Sequence, residues 1–125
     1  MPLVLLQYKM RYEKGRSLRD LAEKLSQELP AIVAPALTLS DRERLDGQVT
    51  PEDIIVHCVK SNDADVNNKD LEIVIWAHDF PERKANLEER KDAIIKGIHE
   101  FLRDWDRNVS GFVWILLQPT AFGEI

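Results

Sequence analysis

The residue with the most direct route to chemistry is Pro2, which follows Met1 and heads the apolar run Leu3-Val4-Leu5-Leu6. Removal of Met1 turns its ring nitrogen into a free secondary amine. An α-amino group has a pKa of roughly 7.7–8.0, and burial among apolar residues or beside cations lowers it. Such an amine takes up and returns protons at neutral pH, which is general acid–base chemistry without a cofactor. The other reactive types are poorly arranged. His57, His78 and His99 fall on two predicted strands and a helix without the spacing of a metal motif, so no metal site is expected. Cys58 lies in an apolar run and reads as a buried structural thiol, and His57 as a satisfied histidine in or beside the core. Asp63-Ala64-Asp65-Val66-Asn67 has the acidic spacing of a calcium loop. Asn68 and Val74, however, stand where that loop needs glycine and glutamate. No serine-nucleophile or phosphate-loop pattern is present.

Composition narrows the classes further. A chain of 125 residues, 44% hydrophobic and 31% charged, is expected to fold as one domain over residues 1–125. Its net charge of −5 and lack of a basic run argue against nucleic acid as a partner. One cysteine excludes an internal disulfide. The start lacks the basic region of a signal peptide, and no apolar stretch nears the roughly 18 residues of a membrane span, so the expected location is the cytoplasm, away from membrane.

The elements that must position Pro2 follow from periodicity. Residues 3–12 form a strand, apolar at first and then alternating. Ser17 and Asp20 make a capping box, and Leu18, Leu21, Ala22, Leu25 and Leu29 fall on one helical face, with Pro30 expected to end or kink the helix. Residues 31–37 add a further turn, and residues 38–51 read as a connecting loop. Ile54 to Val59 is a β-branched strand expected to be buried on both faces, and Leu71 to Ala77 a third, the two pairing as a hairpin. A charged linker, Pro81 to Ala85, precedes a helix capped by Asn86 and Glu89, and Phe112 to Leu117 is the last strand. Trp76, Trp105 and Trp114 are read as filling the core or a subunit interface.

The order is β-α-β-β-α-β, and its halves echo each other. Leu3 to Leu18 and Leu71 to Leu87 both run strand, aromatic, charged linker, capped helix, so that Tyr8 matches Trp76 and Tyr12 matches Phe80. The expected fold is α+β: duplicated β-α-β units forming a four-stranded mixed sheet with two helices on one face, as right-handed crossovers require.

With Met-Pro opening a strand and two β-α-β halves, the chain resembles the tautomerase superfamily, which includes 4-oxalocrotonate tautomerase, 5-carboxymethyl-2-hydroxymuconate isomerase and macrophage migration inhibitory factor. Gly15-Arg16-Ser17 is similar to the Gly-Arg-Ser before the first helix of the small tautomerases, after a longer linker. Pro119-Thr120-Ala121-Phe122-Gly123 is similar to the family's aromatic-glycine hairpin. The resemblance implies a homotrimer with sites at subunit boundaries and no cofactor. Pro2 would be general base and then acid on a small anionic keto or enol acid. It further implies Arg16, Arg83 and Lys84 as substrate-binding cations and Phe122 as an apolar wall. Arg83 is preferred to Lys84 because a forked guanidinium matches a carboxylate. An arginine that the isomerase carries before its second strand is replaced here by Glu52, Asp53 and Ile54. Two other functions compete: a catalytically silent trimer of this fold serving as a binding or structural module, and a ferredoxin-like domain binding a small ligand on its sheet.

Overall fold

In the computed structural model, β1 (Leu3–Tyr8) lies inside a four-stranded sheet of order β4-β1-β5-β6, parallel to β4 (Ile55–Lys60) and antiparallel to β5 (Leu71–His78). β5 is in turn parallel to β6 (Gly111–Gln118). The structure describes residues 2–10, 12–13, 16–62, 64–66, 69–105 and 108–125, and the side chains of Tyr12, Glu13 and Arg16 lie outside that description. Met1, Gly15 of the Gly-Arg-Ser stretch, and Asp63, Asn67 and Asn68 of the rejected calcium loop therefore also lie outside it.

Each half is a β-α-β unit: β1, α1 (Leu18–Leu37), β4, and then β5, α3 (Leu87–Arg103), β6. Their first strands begin at Leu3 and Leu71, as the internal echo predicts, and lie side by side at the centre of the sheet. Between strand and helix the halves differ. The first carries a two-residue ribbon, β2 (Tyr12–Glu13) paired with β3 (Arg16–Ser17), and the second a short helix, α2 (Pro81–Ala85), where the sequence suggests only a charged linker.

Strand periodicity decides what is buried. Along β5, Leu71, Ile73, Ile75 and Ala77 are buried beneath the helices, while Glu72, Val74, Trp76 and His78 alternate onto the other face. Val4, Leu6 and Tyr8 of β1 complete the covered face, and α1 meets it with Leu18, Leu21, Leu25, Leu29, Val33 and Leu37. α3 contributes Ile94 and Ile98. Ser17 caps α1, its Oγ accepting from the Asp20 N–H at 3.3 Å.

Several expectations are corrected. α1 does not end at Pro30; it runs through Pro30 and Pro35 to Leu37, because Val33, Ala34, Ala36 and Leu37 are buried there and hold the chain in the helix. β4 and β5 do not form a hairpin: β1 lies between them, and Ser61 and Asp70 each bond at the end of β1. Ser61 N–H donates to the Tyr8 carbonyl at 2.8 Å and Lys9 N–H to that of Asp70 at 3.0 Å. β4 is an edge strand, not one buried on both faces, so His57 and Cys58 are exposed, not in or beside the core. Asn86 does not cap α3 through its side chain; its Oδ1 accepts from Arg90 Nε at 2.7 Å.

Candidate active site

The end of the sheet where β1 begins and β5 finishes opens into a cavity of about 400 Å³ lined by Pro2, Asp46, Gln48, Val49, Asp53, His78, Phe80, Arg83, Thr120 and Phe122. Pro2 reaches it from the head of β1, where its residue is buried and its carbonyl accepts from Ile55 N–H at 3.2 Å. Three of the residues singled out from sequence, Pro2, Arg83 and Phe122, thus share one lining.

Arg83 is only 3% exposed. Its Nε donates to the Leu37 carbonyl at 2.9 Å, one terminal nitrogen to His78 at 3.1 Å, and the other to Gly47 at 3.3 Å. α1 ends with free carbonyls and a negative dipole end, and Arg83 satisfies one of them from the partner element α2. Arg90 supplies its neighbours, donating to Ala36 at 2.9 Å and Thr38 at 3.2 Å. A Cβ at Gly47 would overlap the Leu39 side chain, so this turn packs closely on Leu39 only with glycine. Burial, and then the charge of Arg90, lower the pKa of Arg83 from its ordinary value. These three bonds leave two of the guanidinium's five N–H groups. No carboxylate pairs with Arg83 among the described residues.

Lys84 lies elsewhere. It is exposed and paired with Asp79 at 3.2 Å, and it does not line the cavity. The Arg16 backbone pairs with Glu13, and its side chain lies outside the description.

The aromatic wall is Phe80. His78 meets its ring edge-on with centroids 4.4 Å apart, and the guanidinium carbons of Arg44 and Arg83 stand 4.8 and 5.1 Å from its centroid. Arg44 is further held by Glu82 at 3.4 Å. The acidic wall comes from the segment between α1 and β4, which folds into two 3-10 turns, Leu45–Gly47 and Pro51–Asp53. Asp53 Oδ2 accepts from the Thr50 N–H at 2.8 Å and the Thr50 hydroxyl at 3.1 Å, and these bonds hold its carboxyl below the usual carboxylate pKa. From the tail, Thr120 reaches His78 and Phe122 completes the rim.

Sequence reasoning missed Asp46, Gln48, Val49, Asp53, His78, Phe80 and Thr120 as members of one site. The signals available were the Thr50-to-Asp53 spacing of a capping box and the matching of Phe80 to Tyr12 in the internal echo. Among the described residues no group of His, Cys, Asp or Glu is placed to hold a metal, and no helix is long and apolar enough to cross a membrane.

No protein-family model and no curated protein sequence matches the chain. Its structure does have relatives. A macrophage migration inhibitory factor-like protein from Entamoeba histolytica aligns over 95% of this chain and 88% of its own, with TM-score 0.53 and 13% identity. Pt0534, seen in a crystal structure after inactivation by 2-oxo-3-pentynoate, aligns over 98% of this chain and 90% of its own, with TM-score 0.52 and 13% identity. The paired β-α-β units and the mixed sheet they build are thus the tautomerase-superfamily fold.

Proposed function

We propose that the protein is a cofactor-independent tautomerase or isomerase in which Pro2, freed by removal of Met1, moves a proton on a small enol or keto carboxylate. The observation that carries this reading is the meeting of Pro2, Arg83 and Phe122 on one cavity lining at the head of β1. The inactivation of Pt0534 by a small 2-oxo acid agrees with that substrate class. In the enol-to-keto direction the Pro2 nitrogen takes the hydroxyl proton and leaves an enolate. The ammonium formed then returns a proton to carbon, so the base is regenerated and no other reactant is consumed.

Arg83 supplies the charge for the substrate carboxylate, because it is a buried cation facing the cavity without a carboxylate partner. Asp46 and Asp53 line the same space, so the site suits one carboxylate better than two. Phe80 and Phe122 give the apolar surroundings that favour a neutral amine. Lys84 is committed to Asp79 and is left out of the binding set, while the resemblance adds Arg16, approaching from a neighbouring subunit.

The same reading makes the protein a homotrimer assembled through the uncovered sheet face. Cross-strand register places Ile55, Leu3, Trp76 and Leu116 in one row of that face, and Leu5, Val74 and Trp114 in the next. Burying such a surface drives association.

The test is conversion of a phenylpyruvate-like enol to its keto form by wild type and Pro2→Ala, with intact mass establishing whether Met1 is gone. The expected result is a processed wild type and a loss of about a hundredfold or more in the variant, the scale of general acid–base catalysis. Equal rates would remove proline catalysis: a trimeric mass would then favour the silent binding module, and a monomeric mass a ligand-binding sensor domain.

A further inference from the structure

We infer that His78 is a second catalytic residue of this cavity, donating a hydrogen bond from Nε2–H to the enolate oxygen formed when Pro2 takes the proton. This rests on the proton-transfer reading above and goes beyond it, because Pro2 and Arg83 account for the moving proton and the carboxylate but leave the enolate oxygen without a donor.

His78 is the last residue of β5, and its residue lines the cavity with Pro2. Two contacts fix the ring. Phe80 packs against it edge-on at 4.4 Å, and the tail grips Nδ1: Thr120 Oγ1 lies 3.0 Å away and the Thr120 backbone N–H donates to the same nitrogen at 3.4 Å. A backbone N–H can only donate, so Nδ1 is the acceptor and the neutral ring carries its proton on Nε2. Among the described residues Nε2 has no protein partner. The ring therefore presents one oriented donor and no competing acceptor of its own.

An oriented donor works because negative charge gathers on the substrate oxygen only as the hydroxyl proton leaves. A group already aimed at that oxygen binds the enolate more strongly than the enol, and so lowers the barrier. Thr120 acts through His78 and is a positioning residue. The segment that fixes the tautomer is also the one that brings Phe122 to the rim, which couples donor and apolar wall in one piece of chain.

The test compares His78→Asn, His78→Gln and Thr120→Val in the full chain, using the enol substrate. Asparagine can replace the Nδ1 acceptor but not the Nε2 donor, whereas glutamine reaches the Nε2 position with an N–H. His78→Asn is expected to lower kcat about tenfold to a hundredfold with KM nearly unchanged, while His78→Gln retains most activity. Thr120→Val, which keeps the backbone N–H, should lose only a few-fold. A His78→Asn rate equal to wild type overturns the inference, as does restoration by asparagine but not glutamine, which would make His78 only a latch for the tail. Long-range nitrogen–proton correlation spectra on histidine-labelled protein read the tautomer without any substrate. A proton on Nδ1 overturns the inference even if Pro2 catalysis stands. If the wild type has no Pro2-dependent activity, the proton-transfer reading fails and this inference with it.

Discussion

Both faces of the sheet carry large apolar residues, yet they are treated differently. On the covered face Val4, Leu6, Ile73, Ile75 and Ala77 are almost completely removed from solvent by α1 and α3. On the other face Trp114 remains 51% exposed and Leu3, Ile55 and Leu116 are also open. Among the described residues no helix covers that second face, so its hydrophobicity contributes little to folding one copy. The covered face holds the chain together, and the open face is the one the proposed assembly would use. The cavity lies where both end: Pro2 continues the register of the covered face, and His78 belongs to the open one.

Neighbouring residues on β5 test this division most directly. Ile73 is buried under the helices and Val74 points the other way, so the two differ in face and little else. Ile73→Ala should lower unfolding free energy by about 2–5 kcal/mol, as for other large-to-small core changes, at every protein concentration. Val74→Asp should leave each copy folded but dissociate the assembly, read as a fall in sedimentation mass. Unfolding of both variants alike, independent of concentration, would break the comparison between faces.

Arg83 sharpens the comparison because it holds the end of α1 and also lines the cavity. Arg83→Met keeps much of the packing but removes a donor from three carbonyls; those of His78 and Gly47 keep the N–H groups of Phe80 and Leu39, and that of Leu37 loses its partner. The expected cost is about 1–3 kcal/mol, read in denaturant titration, the range for one buried polar group left without a partner. Substrate KM should rise in the same variant. A stable variant with unchanged KM would show that Arg83 neither clamps α1 nor meets substrate.

The same separation explains how much of the molecule was readable from its sequence. The strand at residues 71–77 and the helical spacing in residues 18–29 were marked correctly, because burial there follows local pattern. The internal echo gave the two β-α-β units but not the pairing of β1 with β5, which the expected hairpin of residues 54–59 with 71–77 had misplaced. Local pattern could not reveal that the β-branched run 54–59 is an edge, since exposed apolar residues on an edge strand look in sequence like residues buried on both sides. It suggested a further turn over residues 31–37 but could not carry α1 as one helix through Pro30 and Pro35. An interior proline costs about 3 kcal/mol, and what offsets it is tertiary: burial of Val33 and Leu37, and carbonyls at the helix end taken by Arg83 and Arg90. At the site, Pro2 and Phe122 were visible through motif and resemblance. The acidic wall was not, because residues 38–51 carry no periodicity and turn structural only through caps such as Thr50 with Asp53.

That cap gives the smallest expected effect, and it lies on the cavity wall. Asp53 has its pKa lowered by the Thr50 backbone N–H and hydroxyl, so its ionised form is favoured in the folded chain. The stabilisation is present above the unfolded-state pKa of a carboxylate and is lost as pH falls through the lower folded value. Asp53→Asn keeps the shape but removes this titration, so the difference in stability from wild type should shrink as pH drops into the acid range. Because Asp53 faces the cavity, the same variant should bind an anionic ligand more tightly near neutrality, where wild type presents a carboxylate, with the gain fading in acid. A pH-independent difference in both measurements would place the charge of Asp53 outside the reach of the site and leave Thr50 and Asp53 as a turn cap alone.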